Sequence, residues 1–126
     1  MGSNAKIIIV DDYPLFREGM KLFIEMEGLG QVIAEAENGQ VFLDLLKELT
    51  PDLVLMDIDM PIMGGIEATQ KALAIRPDLK ILAITMFNDT DNNTGMLNAG
   101  AKDLVLKTAG ISELERVIKK SFNLSC

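Results

Sequence analysis

Short apolar runs alternate along this chain with longer amphipathic stretches whose lengths suit helices. Such runs predict the buried strands of a parallel sheet. The five predicted strands lie near Lys6–Val10, Gln31–Glu35, Leu53–Met56, Ile81–Ile84 and Leu104–Leu106. Alternating strands and helices of these lengths imply right-handed crossovers between parallel strands. The pattern therefore predicts one α/β domain.

Three helices are predicted between the first four strands. The first has Pro14 among its early residues, with Asp12 or Tyr13 as a cap. The second covers about Gln40–Leu49, and the third covers Ile66–Ile75 before Arg76-Pro77 ends it. The positions expected to face inward are Leu15, Gly19, Leu22, Phe23 and Met26 in the first helix, and Val41, Leu45, Leu46 and Leu49 in the second.

The fourth and fifth helices have different signals. Residues 89–95 are almost wholly of types that prefer caps and turns, so we expect the first turns of the fourth helix to be short, frayed or displaced. The fifth helix is predicted to begin near Ser112, with Glu115 at capping-box spacing. Its buried residues are expected to be Leu114, Val117, Ile118 and Phe122.

Composition excludes several classes of function. A chain of 126 residues suits one domain, and no apolar run approaches the ~18 residues that cross a bilayer. We expect no membrane association and no signal peptide. The single cysteine, Cys126, cannot form an internal disulfide, which agrees with a reducing cytoplasm.

Charge and histidine content narrow the chemistry further. The net charge of −7 argues against a nucleic-acid surface on this domain, because binding the phosphate backbone of a nucleic acid needs a basic face. The chain contains no histidine, so it cannot use a histidine base, a histidine metal ligand or a phosphohistidine of its own.

Polar residues follow four of the five predicted strands. Asp11 and Asp12 follow the first strand, Asp57 the third, Thr85 the fourth and Lys107 the fifth. Ligands of an open α/β sheet bind at the carboxyl ends of its strands. We therefore expect these five side chains to gather at one edge of the sheet.

This set suits a metal ion and a phosphoryl group. Neighbouring carboxylates raise one another's pKa unless a cation neutralises them, and Mg²⁺ accepts carboxylate, water and phosphate oxygens. Asp57 is the nucleophile candidate, since a carboxylate can form an acyl phosphate. Thr85 would donate a hydrogen bond and Lys107 would supply positive charge. Each residue alone is explained as well by a loop, a helix cap, a strand end or a surface lysine.

The loop after Asp57 contains three residues that constrain or free its backbone. They are Pro61, Gly64 and Gly65. Glycine allows backbone groups to approach a ligand closely, so we expect this loop to approach a bound phosphate.

These residues and their order resemble the receiver domain of bacterial two-component response regulators, over essentially the whole chain. The matching segments are Asp11-Asp12, Asp57–Glu67, Ile84-Thr85, Ala99-Gly100-Ala101 and Lys107. Residues 10–19 are similar to the NarL/LuxR-type subfamily, whose full-length members usually add a helix-turn-helix DNA-binding domain. The resemblance implies a flavodoxin-like, doubly wound five-stranded parallel sheet in the order 2-1-3-4-5 with five helices.

The same resemblance implies domain limits and partners. Residues 6–122 would form the receiver domain, residues 1–5 a non-native or disordered leader, and residues 123–126 a C-terminal tail. The implied partners are a sensor histidine kinase, a second copy bound through helices 4 and 5, and DNA only through an output domain outside this chain. The expected location is the cytoplasm.

The resemblance also assigns roles by position. Asp57 would accept a phosphoryl group from a kinase histidine, and Thr85 and Lys107 would contact that group. The implied Mg²⁺ ligands are Asp11 (through water), Asp12, Asp57 and the backbone carbonyl of Asp59. Such a domain catalyses its own phosphorylation and dephosphorylation and does not turn over as a metabolic enzyme.

Three positions depart from the family pattern. Receivers usually carry an aromatic residue where this chain has Leu104, often glycine where it has Asp103, and commonly proline where it has Thr108. We hypothesise that ordering of Asn88–Ala99 reports phosphorylation in place of a ring. A second hypothesis is that apolar Phe87 hinders the water that hydrolyses the acyl phosphate.

Two alternative functions stay open from the sequence. Asp57-Ile58-Asp59 after an apolar strand also resembles the nucleophile motif of haloacid-dehalogenase-type phosphatases, which would turn over small phosphate esters. That motif normally lies on the first strand, whereas here the acidic pair comes first. The other alternative is an interaction module that needs no phosphorylation, which would fail to bind Mg²⁺ or a beryllofluoride mimic.

Overall fold

The computed structural model describes residues 4–122, in which five parallel strands form one sheet. The strands are β1 (Lys6–Val10), β2 (Gln31–Ala36), β3 (Leu53–Asp57), β4 (Lys80–Thr85) and β5 (Asp103–Leu106). Their order across the sheet is β2-β1-β3-β4-β5, and every neighbouring pair is parallel. The predicted fold class and strand order are confirmed. The leader's residues 1–3 and the tail's residues 123–126, with Cys126, lie outside the described residues.

Five α-helices connect and follow these strands. They are α1 (Pro14–Met26), α2 (Gly39–Leu45), α3 (Gly65–Ile75), α4 (Thr90–Ala99) and α5 (Ile111–Phe122), with a short 3₁₀ turn at Lys107–Ala109. The helix α2 ends four residues before the predicted Leu49. There the backbone changes to tighter turns, in which Lys47 and Glu48 donate to carbonyls three residues earlier. None of the helices in the described part of the chain is long and apolar enough to cross a membrane.

Two apolar layers cover the two faces of the sheet. Alternate strand residues point to opposite faces, so neighbours such as Ile7 and Ile8 lie in different core clusters. One layer packs under α2, α3 and α4, and the other packs under α1 and α5. Because both faces are covered, the central strands β1, β3 and β4 are apolar except at their end residues.

The buried face of α1 differs from the predicted one. Leu15, Leu22 and Met26 are 68%, 60% and 74% exposed, and Gly19 is also exposed. The residues that pack on the sheet are instead Phe16, Met20, Phe23 and Ile24. The helix carries two apolar stripes, and tertiary packing buries only the one spaced i, i+4, i+7, i+8. Of the predicted inward residues in α1, Phe23 alone was right.

The predicted inward residues of α2 and α5 are largely confirmed. Leu46 is buried, and Val41, Leu45 and Leu49 are half-buried against the core. Leu114, Val117 and Ile118 are buried, and Phe122 is half-buried. The capping box is wrong, because α5 begins at Ile111 and so places Ser112 inside the first turn.

The start of α4 is regular, so the prediction of a short or displaced first turn is wrong. Asp89 caps the helix, because its side chain accepts hydrogen bonds from the backbone N–H groups of Asp91 and Asn92 at 3.0 and 3.2 Å. At the other end, Gly100 has a left-handed backbone with φ of 119°. The polar residues of this segment thus form a cap as well as an exposed helix surface.

Candidate functional site

Three aspartates meet at the carboxyl ends of β1 and β3. These strands are neighbours, with Val10 paired to Met56, so the residues that follow each strand lie side by side. One carboxylate oxygen from each of Asp11, Asp12 and Asp57 lies within 4.8 Å of the others. Asp11 and Asp57 are buried, while Asp12 is exposed. The sheet therefore brings these three predicted site residues together.

Asp11 is held in place through both its side-chain carboxylate and its backbone carbonyl. Its Oδ1 accepts a hydrogen bond from the backbone N–H of Tyr13 at 2.9 Å, and its Oδ2 lies 2.7 Å from Lys107 Nζ. Its backbone carbonyl accepts a hydrogen bond from Arg17 Nη1 at 2.6 Å. Arg17 also donates to Glu35 at 3.1 Å, which ties α1 to β2 beside the site. Asp11 therefore has little freedom to rotate.

Asp57 is buried in a surplus of negative charge. Its Oδ1 accepts a hydrogen bond from the backbone N–H of Ile58 at 2.9 Å, and its Oδ2 lies 3.7 Å from Lys107 Nζ. Burial, and then the neighbouring Asp11 carboxylate, raise the pKa of Asp57 from 3.8 to about 7, although Lys107 acts in the opposite direction. The single ammonium of Lys107 does not offset the effects of burial and of the Asp11 carboxylate on the pKa of Asp57.

Lys107 points into the site. It lies in the 3₁₀ turn that follows β5, and its side chain is 8% exposed. Its Nζ lies nearer to Asp11 than to Asp57, and 4.3 Å from the centroid of the Phe16 ring. The alternative of a lysine that reaches out to solvent is wrong.

Thr85 ends β4 beside Asp57, but its hydroxyl is engaged by the following loop. The residue is buried, and its Oγ1 donates to the carbonyl of Phe87 at 3.2 Å. The same oxygen accepts from the N–H of Phe87 at 3.3 Å. Phe87 itself is 66% exposed. The hydroxyl therefore fixes the start of the loop that leads into α4.

The loop after Asp57 approaches the strand closely. Gly65 donates its N–H to the carbonyl of Ile58 at 2.8 Å, and a Cβ at this position would collide with the carbonyl oxygen of Asp57. Glycine is required here so that α3 can pack on the backbone of β3. Nearby, the N–H of Met63 donates to the carbonyl of Pro61 at 2.7 Å, which closes a three-residue turn around Ile62 at φ of 69°. A positive φ is strained for a β-branched residue.

Sequence reasoning missed two contributors to this site. Arg17 and Phe16 lie on α1, one turn beyond the aspartate pair, and contact Asp11 and Lys107. The sequence did contain a signal for them, because they follow the aspartate pair by about one helical turn. The side chain of Asp59 is exposed, and within residues 4–122 it does not belong to the carboxylate group that could hold a metal ion.

The donor set fits a hard divalent cation. Three carboxylates face one ammonium, which leaves two negative charges uncompensated. Carboxylate oxygens at the rim of an open site are the ligands that Mg²⁺ or Ca²⁺ prefer. After burial, the neighbouring Asp11 carboxylate is the next cause that raises the pKa of Asp57. The cluster of Asp11, Asp12 and Asp57 could thus bind a metal ion.

Comparison with known families gives one consistent match. A family described as "Response regulator receiver domain" matches residues 7–119. The response regulator GacA of Pseudomonas aeruginosa is 40% identical over 118 residues, which are 93% of this chain and 55% of that protein. The transcriptional regulatory protein DegU of Brevibacillus brevis is 37% identical over 117 residues, which are 93% of this chain and 50% of DegU. The chain thus spans about half the length of these relatives.

Solved structures agree with this match. A two-component response regulator of the LuxR family from Aurantimonas superposes with a TM-score of 0.87 and 37% identity, over 93% of this chain and 84% of that chain. A DNA-binding response regulator of the LuxR family from Staphylococcus aureus superposes with a TM-score of 0.88 and 28% identity, over 94% and 99% of the two chains. Both superpositions thus cover nearly the whole of this chain.

Proposed function

Because the chain belongs to the response regulator receiver domain family, the phosphoacceptor switches of two-component signalling, we propose that Asp57 is its phosphoacceptor. The observation that carries this proposal is the position of the Asp57 carboxylate. It is buried at the end of β3, held by the Ile58 N–H, and lies beside Asp11 and Lys107. The excess of negative charge at this position suits a divalent cation better than a structural ion pair, and such a cation would receive the oxygens of an incoming phosphoryl group.

The transfer forms one bond and breaks one. A carboxylate oxygen of Asp57 attacks phosphorus, and the bond from phosphorus to the donor's imidazole nitrogen breaks, with its electron pair staying on the nitrogen. The product on this chain is an acyl phosphate. The donor is a sensor histidine kinase, since this chain has no histidine. In the transfer, Lys107 pairs with one phosphoryl oxygen and Thr85 donates a hydrogen bond to another.

Mg²⁺ completes the proposed site. Asp12, Asp57 and the backbone carbonyl of Asp59 would hold the ion, and Asp11 would act through water. The ion would supply positive charge for the phosphoryl oxygens. The structure supports this assignment through the three clustered carboxylates and their uncompensated charge. With these groups the domain phosphorylates and dephosphorylates itself.

The signal leaves the site through the loop after β4. A hydrogen bond from the Thr85 hydroxyl to a phosphoryl oxygen competes with its present bonds to Phe87. Release of Phe87 changes the entry into Asn88–Ala99, while Leu104 stays half-buried against the core that contains Met96. Amide exchange of residues 88–99, with and without beryllofluoride, tests this coupling. Equal protection in the two states would exclude it.

The proposal extends to partners that lie outside this chain. The relatives carry about as much sequence again beyond the matched part. We place a DNA-binding output domain there, by similarity to the DNA-binding regulator from Staphylococcus aureus. A second copy pairs through α4 and α5, and residues 6–122 act as the receiver domain in the cytoplasm.

Labelling by acetyl phosphate tests the proposed function. The expected result is one phosphoryl group per chain, which depends on Mg²⁺ and is absent in Asp57→Asn. Asp78→Asn is the matched control, because Asp78 is exposed at the opposite edge of the sheet. Labelling that survives in Asp57→Asn would refute the assignment. Multiple turnover of a small phosphate ester would indicate a phosphatase instead.

A further inference from the structure

The ammonium group of Lys107 lies between carboxylates and an aromatic ring. Its Nζ is 2.7 Å from Asp11 Oδ2 and 3.7 Å from Asp57 Oδ2. The centroid of the Phe16 ring is 4.3 Å from the same nitrogen. The lysine side chain is only 8% exposed, so little water takes part in holding it.

An aromatic ring attracts a cation most strongly where water is excluded. The face of the ring carries negative charge density, and an ammonium within about 6 Å of its centroid is stabilised. Lysine has a flexible four-carbon stem with no preferred fork geometry, so its charged end takes its position from its neighbours. Here the neighbours that could direct it are two carboxylates and this ring.

Phe16 is itself well fixed. It lies in the first turn of α1 and is half-buried against the core cluster that includes Met20 and Ile24. The start of α1 is anchored to the site, because the Tyr13 N–H and Arg17 Nη1 both donate to Asp11. The ring therefore keeps a constant position relative to the acidic cluster.

We propose that Phe16 is a positioning residue for the phosphoryl transfer, whose ring face holds the Lys107 ammonium at the mouth of the site between Asp11 and Asp57. A phosphoryl oxygen arriving at Asp57 then meets a cation already in place, so the transfer needs no rearrangement of the lysine. The inferred effect of Phe16 on the rate of phosphoryl transfer rests on the proposed function. The inferred positioning of the Lys107 ammonium by the ring does not.

The chain offers a matched control in Phe23. Both phenylalanines lie on α1, both are half-buried against the same core cluster, and both line the groove of about 290 Å³ between α1 and α5. Among the described residues, the lysine–ring contacts are those of Lys107 with Phe16 and of Lys80 with Phe122. Replacing Phe23 with leucine therefore removes similar packing without removing a ring from Lys107.

Three variants of the whole chain separate positioning from packing: Phe16→Leu, Phe16→Tyr and Phe23→Leu. Proton NMR reports the contact directly, because the ring shifts the ε-methylene protons of Lys107 upfield. We expect this shift in the wild type, Phe16→Tyr and Phe23→Leu, and its loss in Phe16→Leu. The lysine signal is assigned with Lys107→Arg, in which it disappears.

The kinetic readout is the labelling rate constant at saturating acetyl phosphate and Mg²⁺. We expect Phe16→Leu to be roughly thirtyfold slower, which is the ~2 kcal/mol of one cation–π contact at a desolvated site converted to a rate. Phe16→Tyr and Phe23→Leu should label at the wild-type rate. The proposal is overturned if Phe16→Leu keeps the upfield shift, labels as fast as Phe23→Leu, or is not rescued by tyrosine. Absence of labelling in the wild type would refute the proposed function, while the NMR comparison would still decide whether Phe16 holds Lys107.

Discussion

Replacing Asp57 with asparagine should stabilise the metal-free protein at neutral pH. The carboxylate is buried, its side chain is 7% exposed, and it faces the Asp11 carboxylate across the site. Asparagine has nearly the same shape, and its carbonyl oxygen can still accept the hydrogen bond from Ile58 N–H. The substitution thus removes a costly charge without removing packing.

The magnitude follows from the pKa of Asp57, which is raised from 3.8 to about 7 by burial and then by Asp11. Because the folded-state pKa lies above the unfolded value, the charge costs nothing below about pH 3, where both states are protonated. As the pH rises, the unfolded state ionises first, and folding loses about 1.4 kcal/mol per pH unit until the folded state ionises near pH 7. The expected gain in Asp57→Asn is therefore about 2 kcal/mol at pH 5 and about 4 kcal/mol at pH 8.

Urea unfolding in EDTA at pH 5, 6, 7 and 8 measures this difference. The free energy of unfolding of the wild type should fall relative to Asp57→Asn between pH 5 and 7, and the two curves should run parallel above pH 7. The exposed Asp78→Asn serves as the control and should follow the wild type at every pH. Adding Mg²⁺ should narrow the gap at pH 8, because the ion binds only the folded wild-type site.

Two outcomes would refute the reasoning. Equal stability of wild type and Asp57→Asn at pH 8 in EDTA would mean that the buried charge carries no cost. A gap that is the same at pH 5 and pH 8 would mean that the stabilisation comes from something other than ionisation of Asp57.

Four further substitutions test other parts of the structure. Lys107→Met should destabilise the metal-free protein by roughly 3 kcal/mol in urea unfolding, because it leaves buried carboxylates without their counter-ion; an unchanged midpoint would contradict this. Gly65→Ala should cost about 3 kcal/mol, since its Cβ meets the Asp57 backbone, whereas Gly19→Ala, with open space around its Cβ, should gain up to about 1 kcal/mol. If the two alanine variants unfold at similar temperatures, the predicted clash at Gly65→Ala is refuted. Phe87→Glu should accelerate decay of the acyl phosphate by exposing it to water, and an unchanged half-life of the labelled protein would end that hypothesis.

The sequence alone determined the order of elements and the chemistry available to the site. Strand positions such as Lys6–Val10 were predicted because a strand covered on both faces needs an unbroken apolar run, and its polar neighbours must follow the run's end. The gathering of Asp11 and Asp57 followed from the same rule. Local signals sufficed for the strand limits because each limit depends on residues adjacent in the chain, and the parallel direction of the strands then placed both aspartates at the same edge.

Tertiary structure decided what local pattern left ambiguous. The helix α1 carries two apolar stripes, and only contact with the sheet selected Phe16 and Met20 over Leu15 and Leu22 for burial. The start of α4 is a different case, because the Asp89 cap that outweighs a segment of poor helix formers is itself a local interaction. The direction of Lys107, inward toward Asp11 and the ring of Phe16, depends on two segments far apart in the chain. Burial, the carboxylates and the Phe16 ring together position the Lys107 ammonium. These contacts form only when α1 packs on the assembled sheet.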